Sequence, residues 1–298
     1  GLRRRLAELV PNGTSAALGC QEKVRGDRQV VGWPPLQRLT AAGALAAYSL
    51  IHIVGGLLDG FGVRWWAAHA TLLGALRNGG LLPQECDVDL ALWRADAHWL
   101  VRPAFRAALA ATGIAAYQLP TYMTVRFCLA HVPAEAEQRS VDGLLACAPP
   151  YVDAHLADMA PNQKHRWDYI WRSDTRYAQS FPLAGLFRHR PGGGLEDLRL
   201  RMPFGGHTQV WVPRPETSEE YLAVLYGPDW RTSVRQRDGP PDGRGNPGIG
   251  ALVHNDSSQG GAAFRGLYVR PSGPLRDVVS ELAALGLLRQ GGNGTSGR

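Results

Sequence analysis

The spacing of apolar and polar residues through the middle of the chain predicts a domain of mixed α and β structure. Residues 39–58 contain no charged side chain, and they predict a first, mostly buried helix over residues 36–58. This stretch is rich in Ala and Gly, and a predicted strand at residues 63–68 follows it closely, so we favour a core helix over a membrane span. Further strands are predicted at residues 86–92, 114–118, 122–130 and 150–156.

Residues that typically begin and end helices mark the remaining predicted elements. Thr71 is predicted to begin a short helix. Asp96 is a predicted N-cap for a helix through "AHWLVRPAFRAALAAT", which Gly113 ends. Thr217 and Glu220 form a capping-box pattern at the start of "ETSEEYLAVLYG" and predict a helix there. The element order therefore predicts a fold of mixed α and β structure, α/β (α+β), with most strands early in the chain.

Composition divides the chain into a folded domain and less regular flanks. We predict a peripheral lead-in at 1–35, a folded domain at 36–232, a Gly/Pro-rich loop at 233–262, a C-terminal helical segment at 263–290 and a disordered tail at 291–298. The segment after the loop forms a C-terminal extension of the domain and contains an amphipathic helix at about residues 275–289.

The charge and cysteine patterns argue against two kinds of binding protein. The formal net charge is +6, but only Lys23 and Lys164 are lysines and the arginines are scattered along the chain. A nucleic-acid-binding face would group its basic residues, so we expect no nucleic-acid partner. The four cysteines show no CxxC or Cys/His spacing that indicates a zinc site.

Three glycosylation sequons indicate the cellular compartment in which we expect the protein. Asn12, Asn255 and Asn293 each lie in an N-x-[ST] pattern within a loop-like stretch. They favour a secretory-pathway lumen, such as that of the Golgi, with the cytoplasm as the alternative. No signal peptide is visible and the sequence begins with Gly1, which leaves room for a membrane anchor upstream of it.

The strand "CDVDLAL" places two carboxylates on one face. Side chains alternate along a strand, so Asp87 and Asp89 point the same way and the apolar residues point the other. Two buried like charges are costly unless a positive charge lies between them, and Mg²⁺, or Mn²⁺ in its place, accepts such ligands. Asp153, on the predicted strand "YVDAHLA", is a candidate third carboxylate. The alternative is that these carboxylates line the solvated face of an edge strand.

The turn before this strand is a candidate phosphate site. The free N–H groups at the start of the Thr71 helix favour an anion, and Arg77 lies one to two turns further on. A solvated arginine is the alternative for Arg77. His69 is a candidate base, although we favour a structural role for it. Glu85 is either an additional metal ligand or a solvated loop residue.

The stretch "TLLGALRNGGLLPQECDVDLAL" resembles the LicD, fukutin and fukutin-related protein family. The residues in register with the family pattern are Thr71, Leu72, Leu73, Gly74, Arg77, Leu81, Leu82, Pro83, Asp87, Val88, Asp89 and Leu90. Three later stretches, "FPLAGLF", "FGGHTQVWVPRP" and "YLAVLYGPDW", are similar to the family's later blocks. The resemblance covers about residues 45–231.

This resemblance implies a nucleotidyltransferase-like fold, which is a short mixed sheet flanked by helices, and a transfer reaction. The expected reaction moves a phosphate-linked alcohol, phosphocholine or ribitol phosphate, from a CDP-activated donor to a glycan. On this reading Asp87 and Asp89 hold the metal, and Asp153 is the third ligand or the general base. The turn formed by Thr71, Gly74 and Arg77 would cradle the diphosphate.

The sequence also departs from the family pattern, which keeps two other functions open. Ala70 stands where the family has Gly, and Gln84 and Glu85 follow Pro83 where an aromatic and an acid are usual. These departures motivate a non-catalytic relative that binds a glycan or a partner transferase. The remaining alternative is a glycosyltransferase whose D-x-D pattern binds a metal and a nucleotide sugar.

Overall fold

The computed structural model describes most of the domain between residues 39 and 232. The described residues are 39–83, 85, 87–119, 124–129, 150–157, 168–170, 179–181, 186–189, 195–206 and 208–232. The predictions for residues 1–35, 233–262, 263–290 and 291–298 lie outside these residues.

A mixed sheet forms the centre of the domain, as predicted. Its strands are β1 (Trp65–Ala67), β2 (Asp87–Trp93), β3 (Ile114–Leu119), β4 (Thr124–Leu129) and β5 (Tyr151–Ala157), in the spatial order β1-β2-β5-β4-β3. β5 is parallel to β2, and the other neighbouring pairs on this path are antiparallel. Two short strands, β6 (Asp168–Ile170) and β7 (Gln179–Phe181), continue the sheet from β5. The predicted strands are therefore confirmed, with ends shifted by one to two residues in most cases.

The first helix, α1 (Ala41–Gly60), packs against β2, β4 and β5. It begins after Thr40, whose Oγ1 accepts a hydrogen bond from the Gly43 N–H at 3.0 Å. Among the described residues, one helix, α1, is long and apolar enough to cross a membrane. In its most apolar 18-residue stretch, 67% is buried inside the protein. Such burial is typical of a core helix, in agreement with the predicted role.

The segment between β2 and β3 differs from the single helix that the sequence predicts. A 3-10 helix at Arg94–Val101 is followed by α3 (Pro103–Thr112), because Pro103 begins a new helix and Arg102 before it is extended. Asp96 is not an N-cap, since its carboxylate accepts hydrogen bonds from the Arg64 guanidinium at 2.6 Å. Gly113 ends α3 with a φ of 76°, as predicted.

The last described helix, α4 (Pro215–Tyr226), begins three residues earlier than its capping-box pattern predicts, since its N-cap is Arg214 and not Thr217. Pro215 occupies the first turn, so Thr217 lies inside the helix and is not its cap. Ser218 instead donates its hydroxyl to the Pro213 carbonyl at 3.1 Å and is fully buried. The helix is confirmed, and its capping box is wrong.

Two hairpins pack beside β1 through stacked arginine and aromatic side chains. They are β8 (Phe187–His189) with β9 (Leu195–Asp197), and β10 (Leu200–Phe204) with β11 (Thr208–Val212). The Arg64 guanidinium lies over Trp93 and Phe187, and Arg199 lies over Phe187 and Trp211, at 4.7–5.5 Å from the ring centroids. These contacts attach both hairpins to the edge of the main sheet.

Candidate functional site

Strand register brings the three predicted aspartates onto one face of the sheet. Asp89 of β2 lies directly opposite Asp153 of the parallel strand β5, and Asp87 lies opposite Tyr151. Residues in register on neighbouring strands point the same way, so the carboxylates of Asp87, Asp89 and Asp153 share a face. Their apolar neighbours Val88 and Val152 are fully buried on the other face. The strand pairing therefore places all three residues on one face, and their binding of one shared ion stays a prediction.

The surroundings of Asp87 disfavour the charged form of its carboxyl group. Burial raises the pKa of its carboxyl well above 3.8, and the negative charges of Asp89, Glu85 and Asp153 raise it further, while Arg126 opposes them. Across the described ranges, no hydrogen bond reaches the Asp87 side chain. A positive ligand at this point would relieve the repulsion.

Asp89 is fixed by bonds to both its backbone and its side chain. Its N–H donates to the Thr71 Oγ1 at 2.8 Å, and its carbonyl accepts from the Ala68 N–H at 3.0 Å. The His155 Nε2 lies 3.2 Å from the Asp89 Oδ1. The helix α2 (His69–Leu73) begins two residues before Thr71, so the prediction that Thr71 starts it is wrong. The buried Thr71 hydroxyl joins α2 to β2.

Asp153 is engaged by an arginine that sequence reasoning missed. The Arg126 Nε donates to Asp153 Oδ1 at 2.7 Å and the Nη2 donates to Oδ2 at 2.8 Å, in a two-pronged ion pair. The same guanidinium lies 3.6 Å from the centroid of the Tyr151 ring. Both oxygens of Asp153 therefore have a cationic partner within the protein.

Gly74 and Arg77 have structural contacts in the turn after α2. A π-helical turn at Gly74–Asn78 continues α2, and a Cβ on Gly74 would lie 2.4 Å from the Gly80 carbonyl oxygen. Arg77 is 5% exposed, and burial lowers its pKa to about 10. Its Nη1 donates to the Trp230 carbonyl at 3.3 Å and its Nε to Asn78 Oδ1 at 2.8 Å. Their predicted phosphate contacts stay predictions.

A second missed residue, His155, connects Asp89 to the neighbouring strand β4. Its Nδ1 lies 3.0 Å from the Thr124 Oγ1, and its ring centroid lies 5.2 Å from that of His69. His69 has a positive φ of 45°, which is strained for a residue with a side chain. The alternation in "YVDAHLA" already placed His155 on the Asp153 face, so the sequence contained a signal for it.

Two tyrosines of α4 lie close to the acidic residues. Burial raises the pKa of both Tyr221 and Tyr226 well above the usual 10, and the charge of Asp89 contributes to each increase. Glu85 and Asp87 also raise the pKa of Tyr226. No local pattern predicts this approach, because α4 lies more than 100 residues after β2 in the chain.

The donor chemistry fits a dication that takes part of its ligand shell from a substrate. Within the part of the chain that the structure describes, no group of three or more His, Cys, Asp or Glu side chains is arranged to hold a metal. Asp87 and Asp89 still offer two carboxylates, and Mg²⁺ in phosphate-transferring sites uses one or two, with water and phosphate oxygens completing the shell. Asp153 differs from this pair because Arg126 already donates a hydrogen bond to each of its oxygens.

Comparison with known proteins confirms the family resemblance over one part of the chain. Residues 62–146 match the LicD/FKTN/FKRP nucleotidyltransferase domain, a stretch that contains Asp87 and Asp89 and ends before Asp153. Over 64 residues the chain is 39% identical to ribitol 5-phosphate transferase FKRP from Mus musculus and to its counterpart from Homo sapiens. This alignment covers 22% of the chain and 12% of each relative. The matched family thus includes transferases.

Proposed function

We propose that this chain is a metal-dependent transferase that moves a phosphate-linked alcohol from a CDP-activated donor to a glycan hydroxyl. The partial similarity to ribitol 5-phosphate transferases supports the reaction class. One observation carries the proposal: Asp87 and Asp89 share one face of β2, where burial and then the neighbouring carboxylates raise the pKa of Asp87. A bound Mg²⁺ or Mn²⁺ neutralises such a pair and, with it, the diphosphate of a donor.

The reaction requires one bond to form and one to break. The acceptor hydroxyl oxygen attacks the phosphorus that carries the alcohol, the P–O bond to CMP breaks, and CMP leaves with the bridging oxygen and its electron pair. The hydroxyl proton must pass to a base. We assign this proton to Asp153 if it is not a metal ligand. Arg126 donates one hydrogen bond to each oxygen of Asp153, and the remaining lone pairs of the carboxylate are what would accept this proton.

A disulfide supports a proposed location in the secretory-pathway lumen. Cys128 in β4 is fully buried and disulfide-bonded. The other cysteines, Cys20, Cys86 and Cys147, lie outside the described residues. Structural disulfides persist in oxidising compartments, and the three sequons fit the same setting. A CDP-alcohol donor and a glycan acceptor are the partners we propose there.

The test is Mg²⁺-dependent release of CMP by the full chain from a panel of CDP-alcohols, followed by mass spectrometry. We expect turnover with at least one donor, and Asp89→Asn should lower it by about 100-fold or more because developing charge loses its stabilisation. Glu216→Gln, which changes an exposed acid in the first turn of α4, is the matched control and should keep full activity. Turnover that survives Asp89→Asn would overturn the proposal.

A non-catalytic glycan- or partner-binding module is the second candidate. One observation favours it: two arginines are already engaged within the protein, Arg126 by the Asp153 carboxylate and Arg77 by the Trp230 carbonyl. Failure of every CDP-alcohol in the panel, together with retained glycan binding, would support this module. Hydrolysis of UDP-sugars in the same assay would instead indicate the D-x-D glycosyltransferase.

A further inference from the structure

We infer that His155 is a positioning residue: it orients the Asp89 carboxylate and thereby sets the affinity of the site for its dication. This inference rests on the proposed function, which requires a metal at Asp87 and Asp89. The contact that carries it is the 3.2 Å approach of His155 Nε2 to Asp89 Oδ1. Both side chains are largely buried, with exposed side-chain fractions of 10% and 17%.

The direction of the hydrogen bonds follows from the partners. An ionised carboxylate can only accept, so the Nε2 of His155 carries the proton that it donates to Asp89. In the neutral ring the Nδ1 is then an acceptor, and the Thr124 hydroxyl, 3.0 Å away, donates to it. The chain of bonds from Thr124 through His155 to Asp89 thus selects one tautomer of the imidazole.

Strand geometry explains how the ring reaches Asp89. His155 lies on β5, the strand between β2 and β4, and it is in register with Ala91 of β2 and with Thr124 of β4. The single methyl group of Ala91 leaves space above β2, and the ring leans diagonally towards Asp89, two residues away on the same face. The His69 ring packs edge-on against it at 5.2 Å. The imidazole is therefore restrained by bonds on both nitrogens and by one ring contact.

Loss of this ring should weaken metal binding without removing any ligand. Asp89 would keep its backbone bond to Thr71 but lose the His155 bond that restrains the rotation of its carboxylate. Partners that orient metal ligands are typically worth about 10- to 100-fold in metal affinity. A residue that only fills space would change the melting temperature and leave the affinity for metal unchanged.

The experiment compares three His155 variants by titration of Mn²⁺, followed by its EPR signal, with the full chain at a fixed concentration of CDP. His155→Ala should weaken binding by about 10- to 100-fold. His155→Gln places an amide nitrogen near the position of Nε2 and should recover most of the loss. His155→Asn mimics only Nδ1 and should not recover it. Thr124→Val, which removes the bond to Nδ1, should give a smaller loss than His155→Ala.

The outcomes separate this inference from the proposed function. Mn²⁺ affinities that are equal in the wild type and His155→Ala, with circular dichroism showing both folded, would overturn the inference alone. Equal recovery by Gln and Asn would do the same. Affinities that follow the expected order, without turnover of any CDP-alcohol, would uphold the inference and overturn the transfer reaction. A wild-type chain that binds no Mn²⁺ would overturn both.

Discussion

The two faces of β2, β4 and β5 are built from alternate residues of the same strands and differ in almost every respect. On one face the side chains are apolar and have no solvent exposure: Val88, Leu90, Phe127, Val152 and Ala154. They form one hydrophobic cluster with α1. The other face presents Asp87, Asp89, Arg126, Asp153 and His155, where Arg126 forms an ion pair with Asp153 and His155 contacts Asp89.

The difference shows which face specifies chemistry and which specifies the fold. Burial of apolar surface is non-directional, so the α1 face tolerates exchange among side chains of similar volume. The charged face depends on individual partners, because a buried charge that loses its partner is not compensated by its neighbours. Three substitutions of graded effect test this contrast.

The largest expected effect is on the apolar face. Phe127→Ala should lower the free energy of unfolding by about 3–5 kcal/mol, because it leaves a cavity under α1. Phe127 has no solvent exposure and lies opposite Val152 on β5. Chemical denaturation measures the loss, and Leu200→Ala, at a side chain that is 44% exposed, is the control and should stay within about 0.5 kcal/mol. A similar loss in both variants would contradict the assignment of this face as the core.

An intermediate effect is expected on the charged face. Arg126→Met should cost about 2–4 kcal/mol, somewhat discounted for partial exposure, since it leaves Asp153 buried without its ion-pair partner. Combining it with Asp153→Asn removes both charges and should recover more than half of the loss in the same denaturation assay. If the double variant is no more stable than the single one, Arg126 stabilises the fold through its contact with the Tyr151 ring rather than through the charge pair.

The smallest effect has the opposite sign and depends on pH. The pKa of the Asp87 carboxyl is raised in the folded chain, so the folded state binds this proton more tightly than the unfolded state does. The stability contributed by the carboxyl is therefore fully present below the unfolded pKa and is lost as the pH rises through the folded pKa. With EDTA present at pH 8, Asp87→Asn should therefore be more stable than the wild type by on the order of 1 kcal/mol. The difference should shrink as the pH falls towards 3.8.

Added Mg²⁺ sharpens this last comparison. It should raise the melting temperature of the wild type more than that of Asp87→Asn, because the ion binds the folded site of the wild type preferentially. Glu216→Gln provides the control for a carboxylate removed from an exposed position. A stability difference that does not change with pH would show that Asp87 is not destabilised by its charged neighbours.

The features that were predicted from the sequence are those that depend on local periodicity. Alternation along "CDVDLAL" and "YVDAHLA" placed the aspartates on shared faces, and the helix α1 follows from its apolar composition. The failures have nonlocal causes. Asp96 pairs with Arg64, which lies 32 residues earlier, and this partner overrides its capping preference. The pairing of Arg126 with Asp153 depends on the register of β4 against β5, which no local pattern specifies.

The position of β5 between β2 and β4 has a consequence for how the protein is made. β5 follows β4 in the chain but occupies the centre of the sheet. A nascent polypeptide released from the ribosome before Tyr151 would contain β2 and β4 with unpaired edges facing each other across a missing strand. Such edges template aggregation. Synthesis must therefore proceed past residue 146, where the family-matched stretch ends, and through Ala157 before β5 can pair with both edges.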